Sequence, residues 1–86
     1  MARYNVFIKP SALKELESID SKKDRRRIVR AIASLAEDPR PAGCLKLSGK
    51  DKYRIRCGQY RIVYAVQDTV LVVTIVKVGH RRDVYR

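Results

Sequence analysis

The sequence predicts an α+β domain with the order β-α-α-β-β-β-β, an N-terminal helical hairpin packed on a mostly antiparallel, twisted sheet. Two observations carry this. Up to Asp38 the apolar residues recur at helical spacing, and from Pro39 onward the period switches from 3.6 to 2. The 86 residues, 45% of them hydrophobic, suffice for one modest core and one domain, residues 1–86.

Tyr4 to Ile8 reads as a first strand, broken at Lys9-Pro10-Ser11, where proline suits a helix entry. Leu13, Leu16 and Ile19 then mark a short amphipathic helix. Ser21 followed by Asp24 approximates a capping box for a longer one. Its apolar stripe is Ile28, Ile32 and Leu35, flanked by Val29, Ala31 and Ala36, and Glu37-Asp38-Pro39 ends it. Cys44 to Leu47 is a short strand after the loop at Arg40-Pro41-Ala42-Gly43.

Tyr53, Ile55 and Cys57 alternate with Arg54 and Arg56, and Gly58-Gln59 fits a type II′ hairpin turn. That turn sets Cys57 opposite Tyr60, Arg56 opposite Arg61, and Ile55 opposite Ile62. The tyrosines and isoleucines then face the helices, and Arg54, Arg56 and Arg61 line the other side. Directly opposed like charges cost stability, so the arrangement points to a polyanion. After a turn at Asp68-Thr69, Val70 to Val78 reads as a central strand covered on both faces, completing an antiparallel meander. Gly79 to Arg86 reads as a polar tail.

The charge is one-sided. Twenty Lys+Arg against nine Asp+Glu give +11, of which residues 1–38 supply +3 and residues 39–86 supply +8. Such a field favours nucleic acid or an acidic protein partner. The basic residues lie largely on predicted strands rather than on an amphipathic terminal helix, so no membrane partner is expected. The apolar run from Val70 to Val76 is too short to span a bilayer. Cys44 and Cys57 have no metal-ligand spacing and read as structural free thiols, and no signal-peptide pattern opens the chain. A cytoplasmic protein is expected.

His80 is the single histidine and has no second ligand near it in sequence, so no metal is expected; no nucleotide-binding glycine loop is present, and no cofactor is expected either. Arginines, one histidine and tyrosines suit phosphodiester cleavage on RNA, where a 2′-hydroxyl serves as internal nucleophile. Arg54, Arg56, Arg61 and Arg81 would clamp the phosphate and its transition state, with His80 or Tyr85 handling protons. Arg81 and Arg82 read equally well as a basic tail.

Tyr53-Arg54-Ile55-Arg56, Gly58-Gln59-Tyr60-Arg61-Ile62-Val63-Tyr64 and Val78-Gly79-His80-Arg81-Arg82-Asp83-Val84-Tyr85 together resemble RelE-type toxins of the RelE/ParE superfamily, which belong to type II toxin–antitoxin systems. The resemblance covers essentially the whole chain. It implies a small toxin that enters the ribosomal 30S A site, cleaves the mRNA there and is blocked by a cognate antitoxin, here expected to be acidic. Operator DNA would be bound only through the antitoxin complex. Arg54 and Arg56 fall where the family often has lysines, Arg61 on the arginine after the motif tyrosine, and Arg81 on the late arginine. His80 replaces what is often a lysine, Tyr85 falls on the late tyrosine, and Arg82 joins the RNA clamp. Arginine cannot be deprotonated in a protein, so neither Arg54 nor Arg56 can serve as a base where a lysine might. The rival readings are a ParE-like toxin inhibiting DNA gyrase and a non-catalytic basic module binding RNA or the ribosome.

Overall fold

Seven elements follow in the predicted order in a computed structural model, which describes residues 3–49 and 51–80. They are β1 (Asn5–Ile8), α1 (Pro10–Glu17), α2 (Lys22–Ser34), β2 (Leu45–Lys46), β3 (Lys52–Cys57), β4 (Tyr60–Gln67) and β5 (Val72–His80). The strands form one sheet in the order β1-β5-β4-β3-β2. β2 to β5 are the expected antiparallel meander, and β1 closes the far edge by pairing parallel to β5. That parallel pair requires a crossover: the two helices carry the chain from β1 to β2 at the opposite edge, and the meander brings it back to β5.

The helices bury what their period dictates, with two corrections. In α1 the inward residues are Ala12 and Leu16, followed by Ile19 just beyond the helix, while Leu13 is 42% exposed. Leu13 lies one residue, about 100° of helix, past Ala12, which takes it off the buried stripe. Val29 of α2 is likewise exposed, beside the buried Ile28 and Ile32. Ser21 caps α2 as expected, its Oγ accepting from the Asp24 backbone N–H at 3.2 Å. The helix closes at Ser34, earlier than the Asp38-Pro39 signal. There Leu35, Ala36 and Glu37 each donate to the carbonyl three residues back, tightening the last turn.

The largest correction concerns β5. The expected strand from Val70 to Val78 begins two residues later and runs on through Gly79 and His80. Leu71 takes a left-handed φ of 56°, which keeps Val70 and Leu71 in the turn. Nor is the strand covered on both faces. Val73, Ile75 and Val78 are buried, and the residues between them are only half-buried. Between Tyr64↔Ile75 and Val63↔Lys77 the register skips Val76, a β-bulge.

The core lies between the helices and one sheet face. Ile28, Ile32 and Leu35 meet Ile55, Ile62, Tyr64, Val66, Val73, Ile75 and Val78. Each such aliphatic contributes about 1.5–3 kcal/mol on burial. Tyr64 carries a polar atom into this core, and its hydroxyl donates to the Pro39 carbonyl at 2.7 Å. Burial, followed by the neighbouring Cys44, pushes that hydroxyl's pKa well above its ordinary value, so it remains a donor.

At the same end of the sheet, Arg40 ties three segments together. Its guanidinium donates to both carboxylate oxygens of Asp68, at 3.1 and 2.7 Å, and its Nε donates to the Tyr53 hydroxyl at 3.0 Å. Tyr4 adds a 2.6 Å bond to Asp68. The Arg40 hydrogen bonds, then that of Tyr4, hold the Asp68 carboxyl below its ordinary pKa.

Two outcomes are expected. Tyr64→Phe leaves the Pro39 carbonyl without its donor and should lower stability by about 1–2 kcal/mol, read as a lower urea midpoint at unchanged slope; an unmoved midpoint would remove this bond from the account. Asp68 has a depressed folded-state pKa, so its contribution is present above about pH 4 and is lost as pH falls through the folded value. The stability gap between the native chain and Asp68→Asn should therefore shrink below about pH 4. A gap independent of pH contradicts the assignment.

Candidate functional site

The hairpin register is the predicted one: Cys57↔Tyr60, Arg56↔Arg61 and Ile55↔Ile62. Gly58 has φ +60° and Gln59 is not among the positive-φ residues, the type II′ pattern. A Cβ at Gly58 would lie 3.6 Å from the Arg27 guanidinium of α2, so α2 adds a cation over the tip of the turn. Nothing in the strand pattern of the sequence announced Arg27.

Arg54, Arg56 and Arg61 share the sheet face turned away from the helices, as parity requires. Their settings differ. Arg56 is exposed and Arg54 half-buried, whereas Arg61 is only 7% exposed. The three arginines line one face as expected, and Arg61 is the buried one of the set. β4 is flanked on both sides, and on β5 the residue opposite Arg61 is Gly79, which has no side chain to hold it off the sheet. A guanidinium keeps its charge even when buried, so Arg61 sets a nearly buried cation on this face.

The bulge decides where His80 goes. With unbroken alternation from Val73 and Ile75, residues 77 and 79 would face the helices. The extra residue at Val76 reverses this, bringing Val78 and His80 to the helix side and Gly79 to the arginine side. His80 sits beside Tyr60, the two rings perpendicular with centroids 5.8 Å apart. The structure therefore brings Arg54, Arg56 and Arg61 together and puts His80 around the end of the sheet from them. Arg81, Arg82 and Tyr85 lie outside the described residues.

One group that sequence reasoning missed holds this end of β5. β1 stops at Ile8, opposite Ile75, so the β5 edge beyond it needs another partner. Glu15 of α1 supplies one, accepting from the Val78 backbone N–H at 3.0 Å and from Lys77 Nζ at 2.9 Å. A groove of about 510 Å³ opens beside it, lined by Ser18, Asp20, Ser21, Tyr60, Gly79 and His80 among others. A second, of about 390 Å³, lies between the Pro41–Gly43 loop and Arg54–Arg56.

Neither cysteine is set up for nucleophilic work. Burial raises the pKa of Cys57, with Arg27 opposing and Asp24 adding to the rise, and Cys44 is half-buried. Among the described residues no group of three or more His, Cys, Asp or Glu side chains is arranged to hold a metal ion. No helix among them is long and apolar enough to cross a membrane.

Comparison with known proteins now places the chain. The sequence model of the family described as ParE toxin of type II toxin–antitoxin system, parDE, matches residues 6–85. The chain belongs to the RelE/ParE superfamily of toxins. A putative RelE-like toxin protein from Escherichia coli is 35% identical, covering 96% of this chain and 90% of that one. The archaeal RelE–RelB complex from Pyrococcus horikoshii OT3 contains a similar fold, with a TM-score of 0.80 at 31% identity, over 96% of this chain and 99% of that one. The isolated E. coli RelE toxin gives 0.76 at 32% identity, covering 95% of this chain and 90% of that chain. In the intact E. coli RelBE toxin–antitoxin complex the values are 0.77 and 29%, with 90% and 95% covered. The α+β reading and its element order agree with these structures.

The opposed arginines make a measurable prediction. Arg56→Thr removes one of two like charges facing each other and should stabilise the chain by about 0.2–1 kcal/mol at low salt. The gain should shrink as added salt screens the exposed charge. Destabilisation at low ionic strength would show that the pair is not a cost.

Proposed function

We propose that this toxin is a ribosome-dependent mRNA endoribonuclease whose arginine face grips the scissile phosphodiester. The observation that carries the reading is the Arg56↔Arg61 opposition, with Arg54 on the same face. A fold that keeps two cations opposed, one of them nearly buried, is organised to receive an anion between them. In the reaction proposed, the 2′-hydroxyl oxygen bonds to the adjacent phosphorus as the bond from phosphorus to the 5′-oxygen breaks. The products are a 2′,3′-cyclic phosphate and a 5′-hydroxyl. One proton leaves the 2′-oxygen and one arrives on the 5′-oxygen.

The arginines serve the charge that develops on the nonbridging oxygens. Arg61 does so from a nearly buried position. Arg54, Arg56, Arg81 and Arg82 extend the clamp along the RNA. No arginine can take the proton, so proton transfer is assigned to His80 and Tyr85. From its place beside Tyr60, His80 approaches that phosphate only around the end of the sheet. So small an acid–base set fits an enzyme whose substrate geometry is supplied by the ribosome. A cognate antitoxin, acidic over the segment that covers the arginine face, would mask both charge and site; complexes between related toxins and RelB-type antitoxins support such a partner.

Arg61→Ala and Arg81→Ala should each slow cleavage of translated mRNA at least tenfold in a purified translation reaction, a barrier increase above about 1.4 kcal/mol. Because Arg61 is buried, Arg61→Lys and a thermal melt separate lost chemistry from lost fold. Wild-type cleavage by both alanine variants removes the site assignment. A native chain that leaves mRNA whole and inhibits gyrase supercoiling overturns the reading in favour of a ParE-like action. Salt-sensitive RNA binding with neither activity identifies a binding module.

A further inference from the structure

We propose that the groove at the end of the sheet, between the α1–α2 connection and the Tyr60–His80 pair, is a pocket for an unpaired guanine base of the RNA. The proposal rests on the nuclease reading and names the base that the same enzyme selects. Position is the first argument. Gly79 pairs with Arg61 and His80 pairs with Tyr60, so the groove begins one residue from the phosphate-gripping pair, on the other side of the sheet end. An RNA strand with a phosphate at Arg56 and Arg61 can turn a neighbouring base around that end.

Local charge is the second argument. In a chain of net charge +11, the described residues lining this groove include the acidic Glu15 and Asp20, and the one lysine among them, Lys77, is already paired with Glu15. With Glu15 engaged, the Asp20 carboxylate is the acceptor that this lining offers to hydrogen-bond donors. Asp20 is exposed and accepts no hydrogen bond from the described residues. Shape is the third. Two rings at 78° form a corner in which a planar base stacks on one and meets the edge of the other.

The acceptor selects the base. An ionised carboxylate only accepts, through two oxygens side by side. Guanine alone presents two adjacent donors, N1–H and the N2 amino group, on its Watson–Crick edge. Adenine and cytosine place a ring acceptor next to their amino group, and uracil flanks its one N–H with carbonyls. Each of those sets a lone pair against a carboxylate oxygen. The Ser21 hydroxyl at the same rim accepts from the Asp24 backbone N–H and keeps its own O–H to donate to a remaining guanine acceptor.

The test is amide NMR on the full-length, isotope-labelled protein, titrated with single-stranded tetranucleotides that differ only in carrying one guanine or one adenine. The guanine oligomer should shift Asp20, Tyr60, Gly79 and His80 and bind at least fivefold more tightly. Asp20→Asn should bring the two affinities within about twofold, a loss of at least about 0.5 kcal/mol of discrimination. Equal affinities in the native chain overturn the proposal, as do shifts confined to Arg54, Arg56 and Arg61. So does a response of these residues to N-acetylarginine amide and not to RNA, which would make the groove a seat for a protein side chain. Binding is read without cleavage: selective binding by a chain that cuts nothing sinks the nuclease reading alone, and cutting without base selection sinks this one alone.

Discussion

One inserted residue governs the arginine end of this fold. Without the bulge at Val76, the register from Tyr64↔Ile75 would run on to set Ile62 opposite Lys77 and Arg61 opposite Val78. A lysine would then stand beside the core isoleucine, and a valine would crowd Arg61. The bulge resolves both conflicts. It returns Val78 to the core and puts Gly79 beside Arg61, and it turns His80 toward the helices. Bulges often re-aim side chains beside functional sites, and here one sorts three consecutive residues between two faces.

The hairpin adds a second constraint of the same kind. A slip of one residue in β3 or β4 would send Ile55, Ile62 and Tyr64 to solvent, so burial fixes the register firmly. That register also forces Arg56 to face Arg61. The apolar face and the opposed charges are consequences of one alignment, and the fold cannot keep the first while losing the second. The repulsion is tolerable because it is small beside the core that imposes it. An opposed pair costs a few tenths to about 1 kcal/mol, while each buried isoleucine or valine contributes more.

Much of this was legible in residue order. Ser21 as a cap, the Gly58-Gln59 turn, the facing pairs and the meander all follow from local rules of period and turn chemistry. What was not legible is what depends on pieces distant in sequence. The parallel pairing of β1 with β5 joins residues near 5 to residues near 72, and no local period encodes it. Glu15 reads as an ordinary polar helix position until β1 proves too short to cover the β5 edge. The face that His80 takes is hidden for a sharper reason: the run Val72-Val73-Thr74-Ile75-Val76 has apolar residues at both parities, so its alternation cannot reveal an insertion.

The Arg40 network and the opposed arginines occupy opposite ends of the central strand. Arg40, Asp68, Tyr4 and Tyr53 knit the loop after α2, the β4–β5 turn and the first strand at one end. The arginine pair and the groove lie at the other, roughly 25 Å away at strand rise. Ion pairs exposed as these are contribute little singly, but here two carboxylate oxygens, two tyrosine hydroxyls and one guanidinium act as a network. Such a network at the Gln67 end lets the Tyr60 end carry unfavourable charge without loosening the sheet. The α1–α2 connection lines the groove at that end. The Arg25 guanidinium holds that connection through the Ile19 carbonyl, and Ser21 starts α2 directly afterward. The backbone at the rim is therefore braced from within, leaving the Asp20 carboxylate turned to solvent.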